Sequence, residues 1–96
     1  MKRRIVPPDK RPIPTITRFK IREAIVKWAF LPLNEFTDKE SITAKREYFG
    51  HESKIGVIVS VTEGLLSSIY DDEILSLDTV DDFVEFFESK NVSVRS

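Results

Sequence analysis

Apolar positions recur along this chain with a helical period at both ends and an ambiguous one in the middle. From Thr17 onward Ile21, Ile25 and Trp28 fall at i, i+4 and i+7, one face of a helix, and Pro32 cannot continue it. A first helix is predicted over 18–31 with those three residues in the core. Near the other end Val80, Phe83, Val84 and Phe87 fall at i, i+3, i+4 and i+7. Asp78 or Thr79 caps that helix, Asp81 and Asp82 occupy its first turn where the helix dipole favours anions, and Asn91 after Lys90 is a stop signal. Ahead of it, Ile74, Leu75 and Leu77 make a short apolar turn.

The central run, "KIGVIVSVTEGLLSS" from Lys54 to Ser68, carries two patterns at once. Ile55, Val57, Val59 and Val61 alternate as in a strand, and Gly56 and Gly64 would each cost a helix about 1 kcal/mol. Ile55, Ile58, Val61 or Thr62, Leu65 and Ile69 also form a helical stripe. No other segment has a strand pattern to pair with, and a lone strand leaves its backbone unsatisfied, so a helix is expected. Between this run and the first helix lies "PLNEFTDKESITAKREYFG", with Leu33, Phe36, Ile42, Tyr48 and Phe49 as apolar punctuation and Thr37-x-x-Glu40 as a capping box for one short turn. The segment exceeds an ordinary loop, so it is expected to pack over the core without a long regular element.

Composition narrows the picture. Ninety-six residues, 41% of them hydrophobic, make one small domain with a modest core, which disfavours an enzyme that must enclose its substrate. The absence of cysteine excludes a disulfide framework, thiolate metal ligation and a cysteine nucleophile, and one histidine cannot build a multi-histidine zinc site. No apolar run approaches the roughly 18 residues of a membrane span, and the start "MKRRIVPPDKRPIP" lacks a signal-peptide core, so a cytoplasmic address is expected.

The net charge of -1 is unevenly spread. Residues 1–20 hold seven bases (Lys2, Arg3, Arg4, Lys10, Arg11, Arg18, Lys20) against Asp9, while the rest has eight bases and fifteen acids. Four prolines (Pro7, Pro8, Pro12, Pro14) bias this segment toward extended backbone, so residues 1–17 read as a flexible basic arm, 18–91 as a helical domain and 92–96 as a tail. The arm suits an acidic surface of any kind, or folds back on its own body. Specific nucleic-acid reading is not expected, because the central helix is apolar and the last is acidic.

The candidate chemistry lies where the long loop meets the central run, in "FGHESK". Ser53 is either the cap of that helix or a modified residue, and Glu52 beside it is either a surface acid or part of a recognition motif. His51 stands alone, with no nucleophile and orienting acid placed around it as catalysis would require, and reads as a surface or loop packing residue. Trp28, Phe83 and Phe87 read as core. The acids Asp71, Asp72, Glu73, Asp78, Asp81 and Asp82 lack the spacing of a calcium loop and read as a solvated acidic face for basic partners.

With these residues in place the chain, over roughly 19–90, resembles the acyl carrier and peptidyl carrier protein family. In "FGHES", Phe49 and Gly50 match the family's apolar residue and glycine, Glu52 stands at its usual aspartate and Ser53 at its modified serine; "YDDEILSLDTVDDFVEFF" is similar to its acid-rich turn and Thr-Val helix start. The resemblance implies an all-α fold, a small four-helix bundle of the acyl-carrier type, and a non-catalytic role without a metal. Ser53 would hold a covalent 4'-phosphopantetheine arm, added from coenzyme A by a separate magnesium-dependent phosphopantetheinyl transferase that reads Glu52. The arm's thiol would carry acyl or aminoacyl thioesters among acyl-transferring or condensing enzymes in a fatty-acid, polyketide or peptide-type pathway, with the carrier a monomer. Three features depart from the family pattern. Lys54 follows the serine where leucine or isoleucine is usual, and the central helix offers few acids for docking. An ungapped match of the helical stripe would put His51 at the modified position, whereas two fewer residues in the following loop restore Ser53. The alternative function is a carrier-like protein-binding module without the arm, using the apolar helix and the acidic last helix.

Overall fold

The computed structural model describes residues 13–96, and the basic arm up to Pro12 lies outside the described residues. The described chain is mostly helical: β1 (Ile16–Thr17), α1 (Arg18–Ala29), α2 (Ile42–Lys45), α3 (His51–Thr62), α4 (Asp71–Leu75), α5 (Val80–Ser89) and β2 (Val94–Arg95). Among the described residues no helix is long and apolar enough to cross a membrane.

The central run is a helix, as the lack of a strand partner implied, but with shifted limits. Predicted over 54–68, it begins at His51 and stops at Thr62. Glu63 and Gly64 take left-handed backbone with φ of 58° and 73°, so Gly64 ends the helix instead of weakening its interior. Val57, Ile58, Val61 and Thr62 are buried, and the Thr62 hydroxyl is satisfied by donating to the Ile58 carbonyl at 2.7 Å. The β-branched run is therefore core rather than an exposed contact face, and Val59 alone among its valines is substantially exposed.

In α1 the pattern holds for Ile21 and Ile25, which are fully buried with Ala24 and Ala29. Trp28 does not join them: it is 37% exposed, at the rim between α1 and α3. The helix stops two residues earlier than predicted, because Phe30 turns left-handed (φ 55°). In α5 the expected residues Val80, Phe83, Val84 and Phe87 are buried, together with Phe86. Thr79 caps α5: its hydroxyl accepts from the Asp82 amide at 3.0 Å, and the Asp82 carboxylate accepts from the Thr79 amide at 3.0 Å. Asn91 (φ 65°) is the left-handed stop, and the Val92 amide returns to the Phe87 carbonyl at 2.9 Å.

The long segment between α1 and α3 is held by side chains instead of by regular structure. Phe36, Ile42 and Phe49 enter the core, whereas Leu33 and Tyr48 do not. Arg22 donates to the Phe36 carbonyl at 2.7 Å and pairs with Asp38 at 2.8 Å. Half of the predicted capping box forms, the Glu40 carboxylate accepting from the Thr37 amide at 2.7 Å.

Chain ends expected outside the helical domain take part in it. Ile16 and Thr17 pair in parallel with Val94 and Arg95, and Ile16 and Val92 are core residues. Two residues a side make a negligible sheet. What secures this pair is the burial of Ile16 and Val92 beside α1 and α5.

Candidate functional site

Ser53 lies in the first turn of α3, one turn in from where a cap would be. Gly50 is the N-cap residue, and no side chain caps this helix. Ser53 thus loses the structural explanation that its sequence position offered. The first backbone bond runs from the Lys54 amide to the Gly50 carbonyl at 2.9 Å, so the amides of His51, Glu52 and Ser53 lie ahead of it, without intrahelical acceptors, at the positive end of the dipole. Glu52 is exposed and Ser53 half-buried. His51, the first residue of α3, is exposed and bonds through Nε2 to the Asp71 carboxylate at 2.9 Å, linking the starts of α3 and α4.

Lys54 is the departure that matters most beside a modified serine, and its side chain does not stay on the surface there. It is 8% exposed, drawn into the body, where its charge reaches Asp78. Burial opposes ionisation of Asp78, yet hydrogen bonds from the Ser41 hydroxyl and from the Thr43 hydroxyl and amide, with the charge of Lys54, hold its pKa below the usual carboxylate range.

Ser53 borders an apolar groove of about 300 Å³ whose other lining residues are Lys27, Trp28, Phe30 and Tyr48. Each wall has a local cause. The indole of Trp28 packs against Gly56, where a Cβ would come within 2.6 Å of its Cδ2 and Cζ2, and its Nε1 donates to Ser60 Oγ at 3.2 Å. Gly56 is therefore the place where α1's aromatic residue approaches the backbone of α3. Tyr48 donates from its hydroxyl to the Ala29 carbonyl at 3.1 Å and Arg46 to the Phe30 carbonyl at 3.2 Å, so the loop closes the end of α1. Phe30 packs its ring 6.3 Å from that of Tyr48. It is 71% exposed and left-handed, a conformation costing a bulky residue roughly 1–3 kcal/mol, with little burial to offset it.

Glu52 and Ser53 were legible as candidates from the motif; the groove beside Ser53 was not. Its residues lie in α1, the loop and α3, and the signals for it, a glycine inside a helix and an aromatic residue past a helix end, acquire meaning only once the elements are packed.

The acidic face predicted for the C-terminal half is mostly consumed internally. Asp78 ties α2 to the start of α5, Asp81 pairs with Arg18 at 2.6 Å and Lys39 at 3.2 Å, Asp82 completes the α5 cap, and Glu73 pairs with Lys90 at 2.8 Å. Asp71 and Asp72 remain exposed. Among the described residues no group of three or more histidine or acidic side chains is arranged to hold a metal ion. Comparison with known proteins returns no matching family model, no matching curated protein and no matching solved structure.

Proposed function

We propose that the chain is a carrier protein, with Ser53 as the attachment point for a 4'-phosphopantetheine arm and Glu52 as part of the surface its transferase reads. The observation that carries this reading is the position of Ser53: first turn of α3, free of any capping duty, at the edge of an apolar groove. The residues there fit the group. A phosphodiester on Ser53 lies by unbonded amides and the helix dipole, and the Lys54 side chain beside it is buried. The order of a long helix, a long side-chain-held loop, the serine-bearing helix, a short helix and a last helix fits the four-helix carrier bundle that the motifs resemble.

Loading is a phosphoryl transfer performed by another enzyme. Ser53 Oγ forms a bond to the phosphorus that bears pantetheine, the pyrophosphate linkage of coenzyme A breaks, adenosine 3',5'-bisphosphate leaves, and the hydroxyl proton passes to the transferase. The arm's thiol then holds acyl or aminoacyl groups, with no cysteine of the chain to compete for the thioester.

Intact mass after incubation with coenzyme A, magnesium and a broad-specificity transferase tests the proposal. The expected result is one added arm on the wild type and none on Ser53→Ala; an unmodified wild type, or an arm that survives the substitution, rejects it. An unmodified protein would favour the alternative of a carrier-like binding module, for which the exposed rings of Phe30 and Tyr48 offer a contact surface.

A further inference from the structure

We infer that the groove between α4 and α5 is an intramolecular docking site for the chain's own basic arm, residues 1–12, with Lys10 and Arg11 laid over Leu77 and Phe86 and their charges brought to Glu85. The inference is independent of the carrier reading of Ser53.

The groove has the chemistry of a basic side chain's complement. It holds about 440 Å³, and its lining sets Glu73, Asp82 and Glu85 around Leu77 and Phe86. A lysine or arginine lays its aliphatic stem on apolar carbon and turns its charged head to a carboxylate. One wall already takes a base in this way: Lys90 Nζ pairs with Glu73 at 2.8 Å and stands 5.6 Å from the centre of the Phe86 ring. Glu73 is thereby occupied, and Asp82 accepts from the amides of Asp78 and Thr79. Glu85 is exposed, and among the described residues no base pairs with it.

Charge and chain direction choose the occupant. Residues 1–12 hold five bases against Asp9, whereas residues 13–96 hold ten bases and fifteen acids, so the two parts attract. Ile16 pairs in parallel with Val94, and its amide donates to the Ser93 carbonyl at 3.0 Å. In a parallel pair both strands start at the same end, so the chain enters β1 from the side on which α5 finishes. Ser89, the last residue of α5, lines that end of the groove. Twelve residues reach up to about 40 Å when extended and α5 is about 15 Å long, so the groove lies within reach. Lys10 and Arg11 are the bases of the arm nearest to that entry.

The chain has no cysteine, so Val6→Cys gives one attachment point for a nitroxide spin label on the full-length, unloaded protein. The label is expected to broaden the amide resonances of Ser76, Glu85 and Ser89 more than those of Lys20 and Glu23, in the helix that follows β1 directly. That excess is expected to fall at least roughly two-fold in Lys10→Gln/Arg11→Gln, in Glu85→Gln, and at about 1 M salt, where the Debye length is about 3 Å. Equal broadening of the two sets overturns the docking, as does an excess that survives either substitution. Broadening of isotope-labelled protein by an added spin-labelled copy would assign the groove to another molecule's arm and overturn the intramolecular contact.

Discussion

Trp28 and Gly56 show at single-residue scale how a local preference yields to a contact. Glycine inside a 12-residue helix costs about 1 kcal/mol against alanine, yet here its missing Cβ makes room for the indole. Gly56→Ala should improve the local helix and still destabilise the protein by about 1–2 kcal/mol, since the ring must leave its seat and its bond to Ser60. Chemical denaturation measures the loss, and a red shift of Trp28 emission identifies its cause; a stabilised variant with unshifted emission would mean that the ring does not depend on Gly56. Lys54 teaches the same lesson in charge. In sequence it is a cation next to Ser53, and in the fold it is buried, its charge helping to keep Asp78 ionised.

At the scale of elements, the question is what holds a four-residue helix and a long loop in place. Asp78 is the answer for α2. Its carboxylate takes the Thr43 amide at 2.8 Å and the hydroxyls of Ser41 and Thr43, while its carbonyl takes the Ile42 amide at 2.9 Å. A helix this short has no stability of its own, so its position depends on this link to the start of α5. Asp78→Ala should cost about 1.5–3 kcal/mol, the range for hydrogen bonds to a charged acceptor, and should accelerate amide hydrogen exchange at Thr43 and Ala44 before it affects α5. Uniform exchange changes across the molecule would instead indicate a global role. Exchange confined to this region would show the loop opening as a unit, which matters because the same loop ends in the residues that precede Ser53.

At the scale of the whole molecule, paired carboxylates link segments distant in sequence. Arg18 joins Asp38 of the loop to Asp81 of α5, and Lys90 joins the end of α5 to Glu73 of α4. The Arg18 hydrogen bond leads in holding Asp81 below its usual pKa, the Lys90 bond does so for Glu73, and the Thr37 amide does so for Glu40. Asp78 is lowered as well. A depressed folded-state pKa gives stability that is complete above the unfolded-state value and is lost as pH falls through the folded one. Stability from these acids should therefore hold from neutrality to about pH 5 and decline below about pH 4. Thermal denaturation across that range checks the sign: stability rising on acidification would contradict it. Exposed members such as Glu40 contribute modestly and should weaken with added salt.

Much of the fold was legible because its elements are amphipathic over several turns. Periodicity located α1 and α5, capping chemistry narrowed the α5 cap to Asp78 or Thr79 and put the stop at Asn91, and the lack of any strand partner argued α3 into a helix against its own β-branched composition. Those are statements about one segment and the solvent, which a linear pattern contains. The serine motif was legible too, as residue types at a spacing.

Contacts between segments were not legible. The N-cap role of Gly50 in place of Ser53, the burial of Lys54, the internal use of the acids, the entry of Ile16 and Val92 into the core and the groove beside Ser53 depend on residues from several elements meeting. The chain by itself determined which segments are helical, most of their apolar faces and the limits of α5, because those follow from side-chain period and backbone capping. Only the tertiary structure decided which polar and aromatic side chains those faces bring together, because charge pairing, close backbone approach and cavity shape are properties of packed surfaces.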